Sequence, residues 1–176
     1  MVAAAVAVIC ESGYEGLSIT EVARRANVGR ALIYKWWPTK AHLAAEALFA
    51  RDERAPRSYA GPFAADLRAL VAEMVEHLAR PEVRLGLPGL QVDIRRDPDL
   101  RAIGERWTAV VRSRYRSVFE AGVVAGEVRA GVAVDDLFDT IEGAALFHVQ
   151  RRPERPVDEL VDHLVGLVLA SVTPTR

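Results

Sequence analysis

The 176 residues hold a single cysteine, Cys10, which excludes an intramolecular disulfide, and no Cys/His group has the spacing of a zinc site. Cys10 is expected as a small apolar residue on a packed helix. No apolar run approaches the roughly 18 residues a membrane span needs, and the apolar start, residues 1–10, has no charged stretch ahead of it as an export signal would. A chain in the cytoplasm without membrane contact is therefore expected. Segments rich in Val, Ile and Thr with strict alternation are also missing, which argues against a sheet. The four histidines (His42, His77, His148, His163) are isolated, no glycine-rich phosphate loop follows a strand, and the serines lack a nearby base. No catalytic constellation, metal site or cofactor is expected, and the chain reads as something other than an enzyme.

What is present is 51% hydrophobic and 27% charged residues, enough to bury a core. A formal net charge of −1 suggests no nucleic-acid partner until it is divided along the chain. Residues 1–51 carry six basic groups (Arg24, Arg25, Arg30, Lys35, Lys40, Arg51) against four acidic ones (Glu11, Glu15, Glu21, Glu46), and the remainder carries 17 basic and 20 acidic. Any phosphate-binding surface should lie on the N-terminal third.

Apolar positions recur at helical spacing throughout, so the fold class is all-α. A first helix over residues 2–12 should end at Gly13, a residue that tolerates positive φ. A loop over 14–17 follows. Ser18 stands three residues before Glu21, the spacing of a capping box that opens a second helix ending near Ala26. A third helix over 30–36 leaves only Asn27-Val28-Gly29 as a turn. Ala23 supplies the small residue where the two backbones cross, Asn27 can adopt positive φ, and Val22, Val28 and Ile33 form the apolar triangle beneath. Pro38 ends the third helix, and a connecting helix is expected over 40–54.

Two prolines, a glycine and a serine within 56–62 mark a hinge, dividing the chain into an N-terminal domain, 1–54, and a C-terminal domain, 55–176. In the second, a helix is expected over 63–79, a short or kinked one over 86–95 where Pro88 and Gly89 intervene, and a long one over 99–124 capped by Asp97-Pro98. The long helix should bury Ile103, Trp107, Val110, Val111 and Val118. Helices over 135–151 and 157–172 complete the set. The apolar band at 157, 160, 161, 164, 165, 167, 168 and 172 is broad enough to predict a homodimer built from these last two helices.

Ala4-Ala5, Gly13-Tyr14, Gly16-Leu17-Ser18, Val22-Ala23, Ala26-Asn27-Val28, Ile33-Tyr34, Trp37 and Lys40 together resemble the DNA-binding signature of TetR-type repressors. Many matched positions at fixed spacing make this far more specific than a lone helix-turn-helix. The resemblance implies an N-terminal helix-turn-helix head that binds double-stranded operator DNA and an all-helical body that dimerises and senses a small-molecule effector. Asn27 stands where glycine is usual, Gly29 where serine or threonine often caps the recognition helix, and Trp36 where histidine or tyrosine is common. In such a head the third helix enters the major groove. Arg30 then reads a guanine edge or contacts a phosphate, while Ala31 and Leu32 meet thymine methyls. The resemblance gives Tyr34 and Lys40 phosphate contacts, to which Ser18, Thr20 and Lys35 add. Trp36 faces either the DNA backbone or solvent, and Trp37 is core. The resemblance also implies an effector cavity in the C-terminal domain, which Met74, Trp107, Tyr115 and His148 would line if they are not simply core or dimer packing. A helical interaction module without DNA binding is the competing reading. Matching Ala4-Ala5 to the signature leaves Met1 inside the first helix, so either the natural start lies upstream or the first helix is short and non-specific DNA affinity is weakened.

Overall fold

The computed structural model describes residues 1–49 and 59–174. Nine helices and no strand occur among the described residues: α1 (Val2–Gly16), α2 (Ile19–Ala26), α3 (Arg30–Trp36), α4 (Lys40–Phe49), α5 (Phe63–Ala79), α6 (Pro81–Arg96), α7 (Pro98–Val124), α8 (Val134–Arg151) and α9 (Val157–Val172). The expected end of the connecting helix beyond Phe49, the boundary at 54/55 and residues 56–58 of the proline-rich hinge lie outside the described residues. No helix among the described residues is long and apolar enough to cross a membrane.

Two compact units are formed. The first contains α1 to α4 and also Arg80–Thr108, that is, α6 and the start of α7. Its α1 buries Ala5, Val8 and Ile9, the 1-4-5 spacing of one helix face. Cys10 falls off that face and is exposed, not packed as its type suggested. Gly13, with φ 66°, breaks the helical conformation where expected, and the chain makes one more turn before Leu17.

α6 is longer than the short or kinked helix expected over 86–95. It is continuous over 16 residues, starts with Pro81 in its first turn and carries Pro88 inside. Gly89, which reads as a breaker, and Gly86 serve close approach: a Cβ on Gly86 would lie 2.9 Å from a Leu48 methyl, and one on Gly89 would lie 2.6 Å from the Tyr14 ring. Glycine's helix penalty of about 1 kcal/mol is offset by packing α6 directly against α1 and α4.

The second unit holds α5, the remainder of α7, α8 and α9. α5 buries Phe63, Leu67, Leu70, Val71, Met74, Val75 and Leu78 and packs on α8 and α9. Phe63 meets Phe119 edge to face at 5.0 Å, and Tyr115 meets Phe138 in the same way at 5.1 Å, the arrangement ring quadrupoles favour.

Asp97 caps α7 as expected, accepting from the amides of Asp99 and Leu100. The face predicted for α7 needs correction, because the fully packed residues are Leu100, Tyr115, Val118 and Phe119, while Val110 is exposed. The breadth of the α9 band also has another cause. Leu160, Val161, Leu164, Val165, Val168 and Val172 are all buried within the chain, so one four-helix unit consumes most of the band and leaves only Leu167 strongly exposed.

Candidate nucleic-acid interface

α2 and α3 are joined by a three-residue turn whose geometry the sequence dictates. Asn27 adopts the left-handed conformation, φ 53° and ψ 47°, and its amide closes the end of α2 on the Ala23 and Arg24 carbonyls. Asparagine is among the few residues with a side chain that tolerate this conformation. Val28 then donates to the Ala23 carbonyl at 3.0 Å. Val22, Ala23 and Ile33 are buried at the crossing, and Val28 is half-buried.

Ser18 caps α2 by accepting from the Glu21 amide at 3.2 Å. The reciprocal half of the capping box is not made. Glu21 instead accepts from Arg24 Nε and Nη2 at 2.9 and 2.7 Å and from Arg25 Nε at 2.6 Å. These charge-assisted bonds hold the pKa of its carboxyl down at about 2. Glu11 of α1 is drawn into the same network by Arg25, whose hydrogen bonds hold that carboxyl too below its ordinary range. Gly29 precedes α3 without a side-chain cap, so the amides at the start of the recognition helix are left to solvent or to a partner.

The seven residues of α3 divide cleanly. Ile33 is wholly buried and Trp37, just beyond its end, is 8% exposed. Trp37 donates its indole N–H to Glu46 of α4 at 2.8 Å, which fixes the back of the helix. Arg30, Ala31, Leu32, Tyr34, Lys35 and Trp36 are exposed, with Leu32, Tyr34 and Trp36 at 43%, 53% and 63%. An apolar surface of that size on a seven-residue helix is costly in water unless a partner covers it. Ser18 and Thr20 are exposed at the start of α2. Lys40, the first residue of α4, is half-buried: its Nζ donates to the Tyr14 carbonyl at 3.4 Å and lies 4.5 Å from the centre of the Tyr14 ring.

Thr39 escaped the sequence reading. Its hydroxyl accepts from the His42 amide at 3.3 Å and pairs with the His42 ring at 2.9 Å, capping α4 and fixing the backbone that carries Lys40. The signal was legible, a threonine directly after Pro38 and before a helical apolar pattern.

The residues expected around an effector are distributed differently. Met74 and Tyr115 are buried in the second unit, and His148 is half-buried there. The Tyr115 hydroxyl and His148 Nδ1 are both buried without a hydrogen-bond partner. Burial pushes the Tyr115 phenol well above its ordinary range, and burial together with the cationic Arg155 and Arg152 pushes the His148 imidazole down. Trp107 belongs to the first unit, where it stacks on Phe49 at 5.5 Å.

Two family descriptions match. "Bacterial regulatory proteins, tetR family" covers residues 1–47 and "Tetracyclin repressor-like, C-terminal domain" covers residues 59–168. The chain is 24% identical to the HTH-type transcriptional regulator YdeS of Bacillus subtilis, over 99% of this chain and 89% of that protein. Among solved structures, the TetR family transcription regulator SCO0332 superposes with a TM-score of 0.69 at 28% identity, covering 98% of this chain and 96% of that one. The transcriptional regulator FadR of Bacillus subtilis, solved with stearoyl-CoA, gives 0.73 at 18% identity, covering 96% of each chain. The C-terminal match includes α6, although α6 packs into the unit of the helix-turn-helix.

Proposed function

Since the chain belongs to the tetR family of bacterial regulatory proteins, we propose that it is a cytoplasmic, one-component repressor of transcription that leaves its operator when a small molecule binds. The observation that carries the reading is α3: its back is locked by Ile33 and Trp37, and its exposed face bears a guanidinium, an ammonium and three large apolar or aromatic groups but no acid. Such a face suits the major groove, where base edges and thymine methyls are read.

Residues 1–54 act as the DNA-binding domain and 55–176 as the effector-binding and dimerisation domain of a homodimer. Arg30, Ala31 and Leu32 face bases. Ser18, Thr20, Tyr34, Lys35, Trp36 and Lys40 meet the sugar-phosphate backbone and set the register of the head on the duplex. Met74, Tyr115 and His148 contribute to the effector site, and the unpartnered Tyr115 hydroxyl and His148 Nδ1 favour a ligand with polar groups on an apolar frame, since buried polar atoms are seldom left unsatisfied. FadR, solved with stearoyl-CoA, shares this fold with a bound ligand of that general type.

The test is selection of a duplex from a randomised pool, followed by binding titrations from about 50 to 200 mM salt. Affinity should fall linearly with salt on logarithmic axes. Arg30→Ala should relax preference at one base position per half-site by about 1–3 kcal/mol, while Tyr34→Phe weakens all sequences alike. Binding that ignores salt would reject the reading in favour of a protein-interaction module.

A further inference from the structure

We propose that Tyr14 and Asp93 are positioning residues for Lys40, so that the last turn of α6 sets the strength of a phosphate contact made by the DNA-binding head. The proposal rests on the DNA-binding reading of that head.

Gly13 carries the chain out of helical conformation, and this frees the Tyr14 carbonyl from the regular ladder of α1. That carbonyl accepts from the Leu17 amide at 3.2 Å and from Lys40 Nζ at 3.4 Å. The same ammonium lies 4.5 Å from the centre of the Tyr14 ring, within the range over which a cation is drawn to an aromatic face. Two parts of one residue therefore hold one lysine. An ammonium has three N–H groups, so the carbonyl bond leaves donors for a phosphate. Lysine gives up much rotamer freedom when it is fixed, and a side chain already held at the rim of the head loses less of it on binding DNA.

Tyr14 is in turn held by α6. Its ring rests against Gly89, where any Cβ would collide with it, and its hydroxyl donates to Asp93 Oδ2. Gly89 and Asp93 are four residues apart and so lie on one helix face, one providing a floor and the other a hook. Burial and the Asp93 carboxylate push the Tyr14 phenol far above physiological pH, which keeps the hydroxyl a donor. The carboxylate also makes the ring a stronger seat for a cation by polarising the O–H bond. All four residues belong to the first compact unit. Asp93, however, sits in the region matched by the C-terminal family description. A small displacement of α6 would break the hook and loosen Lys40 without unfolding the head.

The test is a double-mutant cycle on the full-length protein. Its probe is a fluorescein-labelled duplex of mixed sequence, because a phosphate contact does not depend on base sequence. Tyr14→Phe, which keeps the ring and its packing, and Asp93→Ala should each weaken binding by about fivefold. Each should also flatten the salt dependence, by up to about 0.9 in slope for each phosphate the protein no longer neutralises. Lys40→Ala should do the same, and in its background neither of the other changes should weaken binding further. Losses that persist undiminished in the Lys40→Ala background, or no effect of Lys40→Ala itself, would overturn the proposal while leaving DNA binding intact. A wild-type protein with no salt-dependent binding would instead overturn the reading it rests on.

Discussion

Arg25 places its two terminal guanidinium nitrogens on the two carboxylate oxygens of Glu11, at 2.6 and 2.7 Å, and so ties α2 to α1 across 14 residues of sequence. With Glu21 holding Arg24 and the Nε of Arg25, two of the basic groups counted toward DNA binding are answered within the head. These pairs cancel two charges of each sign, so the α2 side offers little free positive charge and the burden falls on Arg30, Lys35 and Lys40.

Removing the acids should reverse this. Glu11→Gln combined with Glu21→Gln should raise affinity for mixed-sequence duplex several-fold near 50 mM salt, with the gain shrinking toward about 200 mM as screening shortens the reach of the freed arginines. A salt titration of anisotropy checks it. Unchanged affinity at low salt would show that neither arginine approaches the DNA.

The proposed homodimer's face is better sought by exposure than by hydrophobic periodicity. Phe147 on α8 and Leu167 on α9 are each 57% exposed, and a Cβ on Gly143 or Gly166 would meet open space, as on a surface awaiting a partner. Phe147→Glu with Leu167→Glu should give monomers at micromolar concentration with undiminished helix content, measured by sedimentation velocity and circular dichroism. Leu164 is 3% exposed, so Leu164→Glu should unfold the second unit instead of separating subunits.

The head was legible residue by residue because its constraints are local. A cap at Ser18, a positive φ at Asn27 and an aromatic anchor at Trp37 each depend on near neighbours. α6 was misread because Gly86, Pro88 and Gly89 have strong local preferences, whereas the roles of the two glycines depend on Leu48 and Tyr14, dozens of residues away. The α9 band was overread for the same reason, since breadth alone cannot separate burial by α5 and α8 from burial by a second chain. The arginine partners of Glu21 were hidden by a competition: its carboxylate can reach its own helix's cap or two guanidiniums, and the ionic bonds win.

Glu142 is half-buried on α8. Burial raises its carboxyl above the ordinary value of 4.5; Asp139 adds to this and Arg112 opposes it. A carboxyl whose affinity for a proton is higher in the folded than in the unfolded protein favours folding when protonated. Its contribution is thus fully present below the unfolded value and is lost as pH rises through the raised one. At neutral pH the ionised group is a liability. Glu142→Gln, which keeps the shape and removes the charge, should therefore be more stable than wild type near pH 7, and the difference should vanish below about pH 4.5. His148 acts in the opposite sense, since its depressed imidazole costs stability as pH falls below 6.5. That cost is common to both proteins and cancels in their difference. Urea midpoints for the pair, measured from about pH 4 to 7, give the answer. A gap that is independent of pH would mean that the amide gains through packing or hydrogen bonding and not through removal of a buried charge.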